Sequence, residues 1–115
     1  MYLRETLEKN ANATALKAWA RFRALFPDCG ECPVIVINAR LRTTAGRAWL
    51  AESKIDLSLK LLERFPAEFA WVIIPHELAH HVAYRLHGDA GHGKHWKNAM
   101  RAFGLEPDIY HSLEL

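Results

Sequence analysis

Two histidines four residues apart, with a glutamate directly after the first, are the part of this sequence with the clearest chemistry. On an α-helix, the motif His76-Glu77-Leu78-Ala79-His80 would place both imidazoles on one side, because residues four apart differ by about 40° around the axis. Both rings can then bind one metal ion. Glu77 is turned by about 100° from His76, so its carboxylate would flank the metal and accept a proton from a bound water. The spacing predicts half of a catalytic zinc site.

A third ligand must come from elsewhere in the chain, because catalytic zinc usually has three protein ligands and an open fourth position. His81 directly follows the second motif histidine, so on a continuous helix its side chain turns away from the site. His92 lies between two glycines, where a glycine-rich turn can bring an imidazole back over the helix. The sequence favours His92 as the third ligand. His87 and His95 stay open as alternatives, and Glu106 is a poorer one because no second helical motif surrounds it.

Such a site would hydrolyse an amide bond. Zinc would polarise the scissile carbonyl and lower the pKa of its bound water towards ~7, and Glu77 would pass the water proton to the leaving amine. The tetrahedral intermediate also needs a positive or hydrogen-bonding partner beyond zinc. The sequence leaves four candidates for that partner open: Tyr84, His95, Tyr110 and His111.

The hydrophobic pattern around the motif predicts an α+β fold in which a small three-stranded sheet packs on helices. Strands are predicted at Val34–Asn38, at residues 46–52 and at residues 55–57, from their β-branched and apolar content. We expect an antiparallel sheet, because a short link joins the last two strands as a hairpin. Residues 46–50 are the predicted edge to which an extended peptide would add as a further strand.

Helices are predicted before and after the three strands in the sequence. Apolar periodicity indicates a long one at residues 2–25, and Ser58 is the predicted N-cap of another. Pro75 directly precedes the motif, and a proline inside a helix removes a hydrogen bond and clashes with the preceding turn. We therefore expect a kink or a restart at Pro75. Gly88 is predicted to end the motif helix, and Gly104 the last helix.

Two blocks of sequence together resemble the SprT-like metallopeptidases, the family that includes the Spartan proteases. The first block is the motif at residues 76–80, followed after eleven residues by His92-Gly93-Lys94 and Trp96. The second lies upstream, at residues 41–49 and 55–58, and resembles the strand pair that precedes the family's active-site helix. Together the blocks are far more specific than the pentapeptide alone.

The resemblance covers about residues 33–104 and carries a set of expectations. It implies that His76, His80 and His92 bind one zinc ion, that Glu77 is the general base and that the fold is zincin-like. It also implies protein or peptide substrates, including proteins associated with or crosslinked to DNA. Many members of the family carry a C-terminal zinc ribbon with paired cysteines, which this sequence does not show, so no function of that ribbon is carried over.

The arginine-rich segment before and within the second predicted strand is a candidate nucleic-acid contact. Arg40, Arg42 and Arg47 could form a local basic patch, although ordinary solvated charge is the plain alternative. Because the net charge is only +2 and no groove-reading motif is present, we expect weak, salt-sensitive binding without base specificity. A catalytically weak, zinc-containing, DNA-associated binding module stays open as the alternative function.

Composition sets the remaining expectations. A chain of 115 residues, half of them hydrophobic, suits one domain over residues 1–115. No apolar run approaches the roughly 20 residues of a membrane span, and the start lacks the apolar core of a signal peptide. We therefore expect a cytoplasmic protein without a membrane partner.

The two cysteines stand in the segment Cys29-Gly-Glu-Cys32. One such pair supplies only two of the four ligands of a structural zinc site, and a redox pair would open a helix after a strand. Here a proline and a predicted strand follow instead. We expect reduced thiols in a turn, with a metal site and redox chemistry as the alternatives.

Overall fold

The computed structural model describes residues 3–107, in which one long helix precedes a short sheet and further helices follow it. Helix α1 (Arg4–Leu25) leads through a turn-rich connector to strands β1 (Val34–Asn38), β2 (Gly46–Trp49) and β3 (Lys54–Ser58). After the sheet come α2 (Leu59–Arg64), α3 (Pro66–Glu68), a π-helical turn (Phe69–Ile73), α4 (Ile74–His87) and α5 (Lys94–Phe103). The predicted α+β class is confirmed.

The sheet is mixed, with the strand order β1-β3-β2. Strands β2 and β3 are antiparallel and form the predicted hairpin, with Gly46 opposite Leu57. Strand β1 runs parallel to β3, so the expectation of a fully antiparallel sheet was wrong for this pair. The reason is the connection at residues 39–45, which carries the chain past the position of β3 and leaves β3 to fill the centre. Strand β2 also ends earlier than predicted, because residues 50–53 form the hairpin turn.

One hydrophobic core joins the sheet to the helices. Buried side chains of β1 and β3 belong to one cluster with residues of α1, α4 and α5, and the largest fully buried ones include Ile35, Ile37, Ile55, Leu57, Phe22, Leu78 and Trp96. Helix α1 packs against β1, whereas α4 packs against β2, α1 and α5. The motif helix therefore lies over the β2 side of the sheet.

The outer edge of β1 is closed by side chains from α1. The Asn12 amide donates to the carbonyl of Ile35 and accepts from its N–H, both at 2.9 Å. Glu8 accepts from the N–H of Ile37 at 2.9 Å, and Arg4 donates to the Ile37 carbonyl. These side chains satisfy backbone groups that an edge strand would otherwise leave open.

The entry to α4 shows how Pro75 is accommodated. A proline in an unbroken helix would clash with the carbonyl four residues earlier. Here the preceding residues form a wider π-helical turn, in which the N–H of Ile74 donates to the carbonyl of Phe69, and α4 restarts with Pro75 in its first turn. The kink or restart that was predicted at Pro75 is therefore a widened helical turn, and the backbone on both sides of it stays helical.

Three local predictions about helix termini also hold. The Ser58 side chain accepts from the N–H of Leu61 at 3.2 Å, as an N-cap does. Gly88 and Gly104 follow the ends of α4 and α5 with positive φ angles of 68° and 102°.

Among the helices of residues 3–107, none is long and apolar enough to cross a membrane.

Candidate metal centre

Three histidines converge at one point between α4 and the loop that follows it. His76, His80 and His92 each offer a ligand atom, and these atoms all lie within 4.8 Å of one another. Nε2 of His80 is 3.1 Å from Nε2 of His92. Within the described part of the chain, no further histidine, cysteine or carboxylate joins this group. The arrangement can hold a metal ion with three protein ligands.

Helix geometry and a glycine-rich return position these rings. His76 and His80 lie one turn apart on α4, where both are buried. The chain leaves α4 at Gly88 and turns back, and Asp89 accepts from the N–H of Gly91 at 3.1 Å. A β-carbon at position 93 would meet the Asp89 carboxylate at 3.0 Å, so the glycine there allows the tight return. His92, the most exposed of the three, is thereby brought over the helix.

The ring of Trp96 packs against the histidine cluster. Its buried ring lies 4.8 Å from the ring of His76, 5.3 Å from that of His80 and 4.6 Å from that of His92, measured between centroids. The ring of His80 stacks on it at an interplanar angle of 19°. The indole N–H also donates to the carbonyl of His76 at 3.3 Å. One residue of α5 therefore contacts all three histidines and restricts their orientations.

The donor set fits a zinc ion. Burial, and to a lesser extent the neighbouring His92 and His81, lowers the pKa of His80 to about 4, and burial also lowers the pKa of His92. Both rings are therefore neutral at pH 7, with nitrogen lone pairs available to a cation. Two nitrogens bound tetrahedrally at 2.0–2.1 Å would be about 3.3 Å apart, close to the observed 3.1 Å.

Glu77 lies beside this cluster. Its Oε2 is 3.9 Å from Nε2 of His76, and the residue is only 7% exposed. Burial raises the pKa of the Glu77 carboxyl to about 8, because the charged form is disfavoured away from water. A divalent cation beside it would favour the ionised form. Such a carboxyl can take up and release a proton near neutral pH.

The other histidines of the region lie outside the cluster. His81 is fully buried and its Nε2 lies 3.2 Å from the carbonyl oxygen of Lys54 on β3. The rings of His87 and His95 stack on each other with centroids 3.6 Å apart. Neither His87 nor His95 joins the metal group, which leaves His92 in the third position.

The candidates for stabilising a tetrahedral intermediate remain predictions. Tyr84 is half-buried, one turn beyond His80 on α4, and His95 stacks on His87. Tyr110 and His111 lie outside the described residues.

The three arginines predicted to contact nucleic acid are all exposed. Arg40 and Arg42 lie in the connection between β1 and β2, and Arg47 lies in β2. Successive strand residues face opposite sides of a sheet, so Arg47 points away from α4. Its guanidinium lies 5.7 Å from the ring centroid of Trp49 on the same side.

The cysteines are free thiols in the connector between α1 and β1. Cys29 is buried and Cys32 half-buried. Burial raises the pKa of both, that of Cys32 to about 11. Since reactive thiols have lowered pKa values, this environment favours structural thiols over redox chemistry.

Two contacts of the site were missed by sequence reasoning. Trp96 was named as part of the block that resembles the family, but its contact with every histidine of the cluster was not predicted. Gly46 was assigned only to an edge strand, yet it lies against Glu77. An isolated glycine within a strand is a signal of close approach by another group, and it could have identified this position.

Comparison with known proteins gives the same family from several relatives. Residues 20–111 match the sequence model of the SprT-like family. Protein SprT of Vibrio parahaemolyticus is 34% identical over 96 residues, which cover 82% of this chain and 55% of that protein. Protein SprT of Actinobacillus succinogenes is 31% identical over 99% of this chain and 65% of its own length. Protein SprT of Klebsiella pneumoniae is 39% identical over 72% of this chain and 51% of its own length.

The chain spans between about half and two thirds of the length of these curated relatives. No solved structure matches it significantly. The family match nevertheless extends over the strands, the motif helix, the glycine-rich return and α5. The chain therefore belongs to the SprT-like family.

Proposed function

We propose that this protein is a zinc-dependent peptidase in which His76, His80 and His92 bind the metal and Glu77 is the general base. The observation that carries the proposal is the convergence of three histidines beside a buried carboxyl. The group includes no fourth protein ligand among residues 3–107. Structural zinc sites generally close the metal with four protein ligands, whereas catalytic sites keep one position open.

The histidines and Glu77 have different roles in the proposed reaction. A zinc ion, when bound, supplies a Lewis acid that polarises a carbonyl and lowers the pKa of water. The neutral imidazoles of His80 and His92 hold such an ion without a competing proton. Glu77 takes the proton of the attacking water and gives it to the leaving amine. A bound cation would favour the ionised form of this buried carboxyl, which the first transfer needs.

The two edges of the sheet support a specific mode of peptide binding. The edge of β1 is occupied by Asn12 and Glu8 from α1. Within residues 3–107, β2 pairs only with β3, and it lies against α4 beside Glu77. An extended substrate that adds to β2 would therefore place its backbone next to the general base.

Proteins associated with or crosslinked to DNA are the substrates that we propose. Support comes from the exposed Arg40, Arg42 and Arg47. A second basic surface lies on α5, around a hollow of about 410 Å³ lined by Lys94, His95, Lys97, Asn98 and Arg101. Few phosphate contacts imply weak binding that falls with salt. Binding of a labelled oligonucleotide that persists unchanged in Arg42→Glu/Arg47→Glu would contradict the arginine contacts.

Replacing the general base tests the proposed activity. Glu77→Gln keeps the size of the side chain and removes its basicity, so hydrolysis of labelled, unfolded casein should fall by roughly a hundredfold or more at equal zinc content. Glu68→Gln, on the exposed surface of α3, is the matched control. A zinc-loaded wild type without hydrolysis would favour the alternative of a zinc-containing binding module.

A further inference from the structure

We infer that Gly46 is a positioning residue, whose lack of a side chain lets the edge strand β2 hold the Glu77 carboxylate beside the metal ligands. The inference rests on the proposed function, because it identifies what positions the general base of that same site.

A side chain at position 46 would fit only if its neighbours moved. A β-carbon at this position would lie 3.2 Å from Cγ of Glu77 and 3.3 Å from its Oε2. It would also lie 3.3 Å from Cδ2 of Leu57 on β3. Favourable contacts between carbon atoms occur at about 3.5–4.0 Å, so the neighbouring carbon atoms of Glu77 and Leu57 would have to move by a few tenths of an ångström.

The backbone itself does not require glycine here. The φ angle of Gly46 is not in the left-handed region, unlike those of Gly30, Gly88 and Gly104. Glycine is also a poor strand former, because it lacks a side chain to pack and loses more backbone entropy than other residues. Close approach of Glu77 and Leu57 is therefore the structural reason for a glycine in β2.

Both neighbours are buried, but Glu77 has the longer, unbranched side chain, so its carboxylate is the group that would move. Leu57 is fully buried in the core between the sheet and the helices, where dense packing resists displacement. Glu77 borders the metal cluster, with Oε2 3.9 Å from Nε2 of His76. An added methyl group at position 46 would therefore displace the carboxylate by a few tenths of an ångström, from packing distances. The variant keeps all three histidines that are proposed to bind zinc.

The kinetic effect of Gly46→Ala should distinguish a displaced Glu77 from weaker binding of the substrate. Side chains stand perpendicular to a sheet, whereas the edge N–H and C=O groups lie in its plane. A methyl group at position 46 would therefore point towards Glu77 and leave the peptide-binding edge open. Since misplaced catalytic groups reduce the rate steeply, we expect Gly46→Ala to lower kcat roughly tenfold, with little change in KM or zinc content.

The experiment uses zinc-loaded wild type, Gly46→Ala and the control Ile35→Val. The control removes a buried methyl group from β1, at the far side of the sheet, and so accounts for a general loss of stability. Apparent kcat and KM are measured with labelled, unfolded casein, and the ¹³C chemical shift of the Glu77 carboxyl carbon is measured by NMR. We expect lower kcat and a changed Glu77 shift in Gly46→Ala alone.

A double-mutant comparison shows whether Gly46 acts through Glu77. In the Glu77→Gln background, Gly46→Ala should change the residual rate less than about twofold, because the group that it positions has lost its function. Glu77→Asp removes one methylene near the added carbon, so Gly46→Ala should cost less activity in that background. This pair also provides a folded comparison if Gly46→Ala alone is unstable.

The outcomes for this inference and for the proposed function are distinct. An unchanged Glu77 shift in Gly46→Ala, or effects of Gly46→Ala and Glu77→Gln that simply multiply, would overturn the inference. If zinc-loaded wild type does not hydrolyse casein, the proposed function fails. The Glu77 shift then decides alone whether Gly46 positions the carboxyl.

Discussion

His80 and His81 are neighbours in sequence and share most local properties, yet they face two different regions of the molecule. Both are buried on α4, and the pKa of each is lowered to about 4, with burial as the main cause. His80 faces His92, with 3.1 Å between their Nε2 atoms. His81 faces the sheet, with Nε2 3.2 Å from the Lys54 carbonyl oxygen.

The difference shows that burial and a lowered pKa do not identify a metal ligand. What distinguishes His80 is convergence, because two further imidazoles and Glu77 lie within reach of the same point. His81 instead tethers the motif helix to β3 by a single hydrogen bond. We therefore assign metal binding to one face of α4 and stability to the other.

Matched substitutions of the two neighbours should give the largest contrast. His80→Gln removes a ligand, so the zinc dissociation constant should rise by more than about a hundredfold, since even outer partners of ligands contribute 10- to 100-fold. His81→Gln should change it less than about threefold, because His81 is outside the group. Competition with a chromophoric chelator measures both. Equal losses of affinity would remove the distinction between the two faces.

Acid should lower the folding stability of the protein through His81, which lies on the side of α4 that faces the sheet. Its pKa is lowered to about 4 by burial and by Arg85, against about 6.5 in an unfolded chain. Between these values the unfolded chain binds a proton that the folded chain does not, so stability falls as the pH drops from 6.5 to 4. The His81 contribution lost by pH 4 is about 3 kcal/mol, at about 1.4 kcal/mol per pKa unit.

The measurement is urea unfolding of metal-free protein at pH 7 and pH 5. His81→Gln keeps a donor for the Lys54 carbonyl and does not titrate, so its stability should depend less on pH than that of the wild type. His87→Gln, an exposed position on the same helix, is the control. Identical pH dependence in wild type and His81→Gln would show that His81 is not the group that titrates.

Substitution of Trp96 should reduce zinc affinity, but by less than substitution of His80. Trp96→Phe keeps an aromatic ring under the histidines and removes the N–H that donates to the His76 carbonyl at 3.3 Å. Zinc affinity should fall roughly tenfold, as for other partners that orient ligands. Trp71→Phe, at a tryptophan that is 74% exposed, should leave zinc affinity unchanged. Unaltered affinity in Trp96→Phe would contradict its positioning role.

Single residues in the sequence predicted much of the backbone structure around the site. Pro75, Ser58 and the glycines after α4 and α5 each restrict the backbone of their own neighbourhood, so a disturbed helix before the motif, a cap and two helix ends followed from single residues. The one-turn spacing of His76 and His80 has the same local character.

The non-local pairings could not be derived in this way. The parallel pairing of β1 with β3 depends on the path of residues 39–45, and the closure of the β1 edge depends on Asn12, far away in sequence. The partner of His81 is the carbonyl of Lys54, which no helical period indicates. Such contacts are set when elements pack together, so their partners are not encoded by local spacing.

Zinc K-edge X-ray absorption of the loaded protein measures which atoms bind the metal and at what distance. Three imidazoles and an open position predict one tightly bound zinc with three nitrogen ligands at about 2.0–2.1 Å and a light-atom ligand from solvent. His80→Gln should lose this signal and His81→Gln should retain it. A sulfur shell at about 2.3 Å, a fourth imidazole, or loss of the signal in His81→Gln alone would contradict the assignment of His76, His80 and His92 as the zinc ligands.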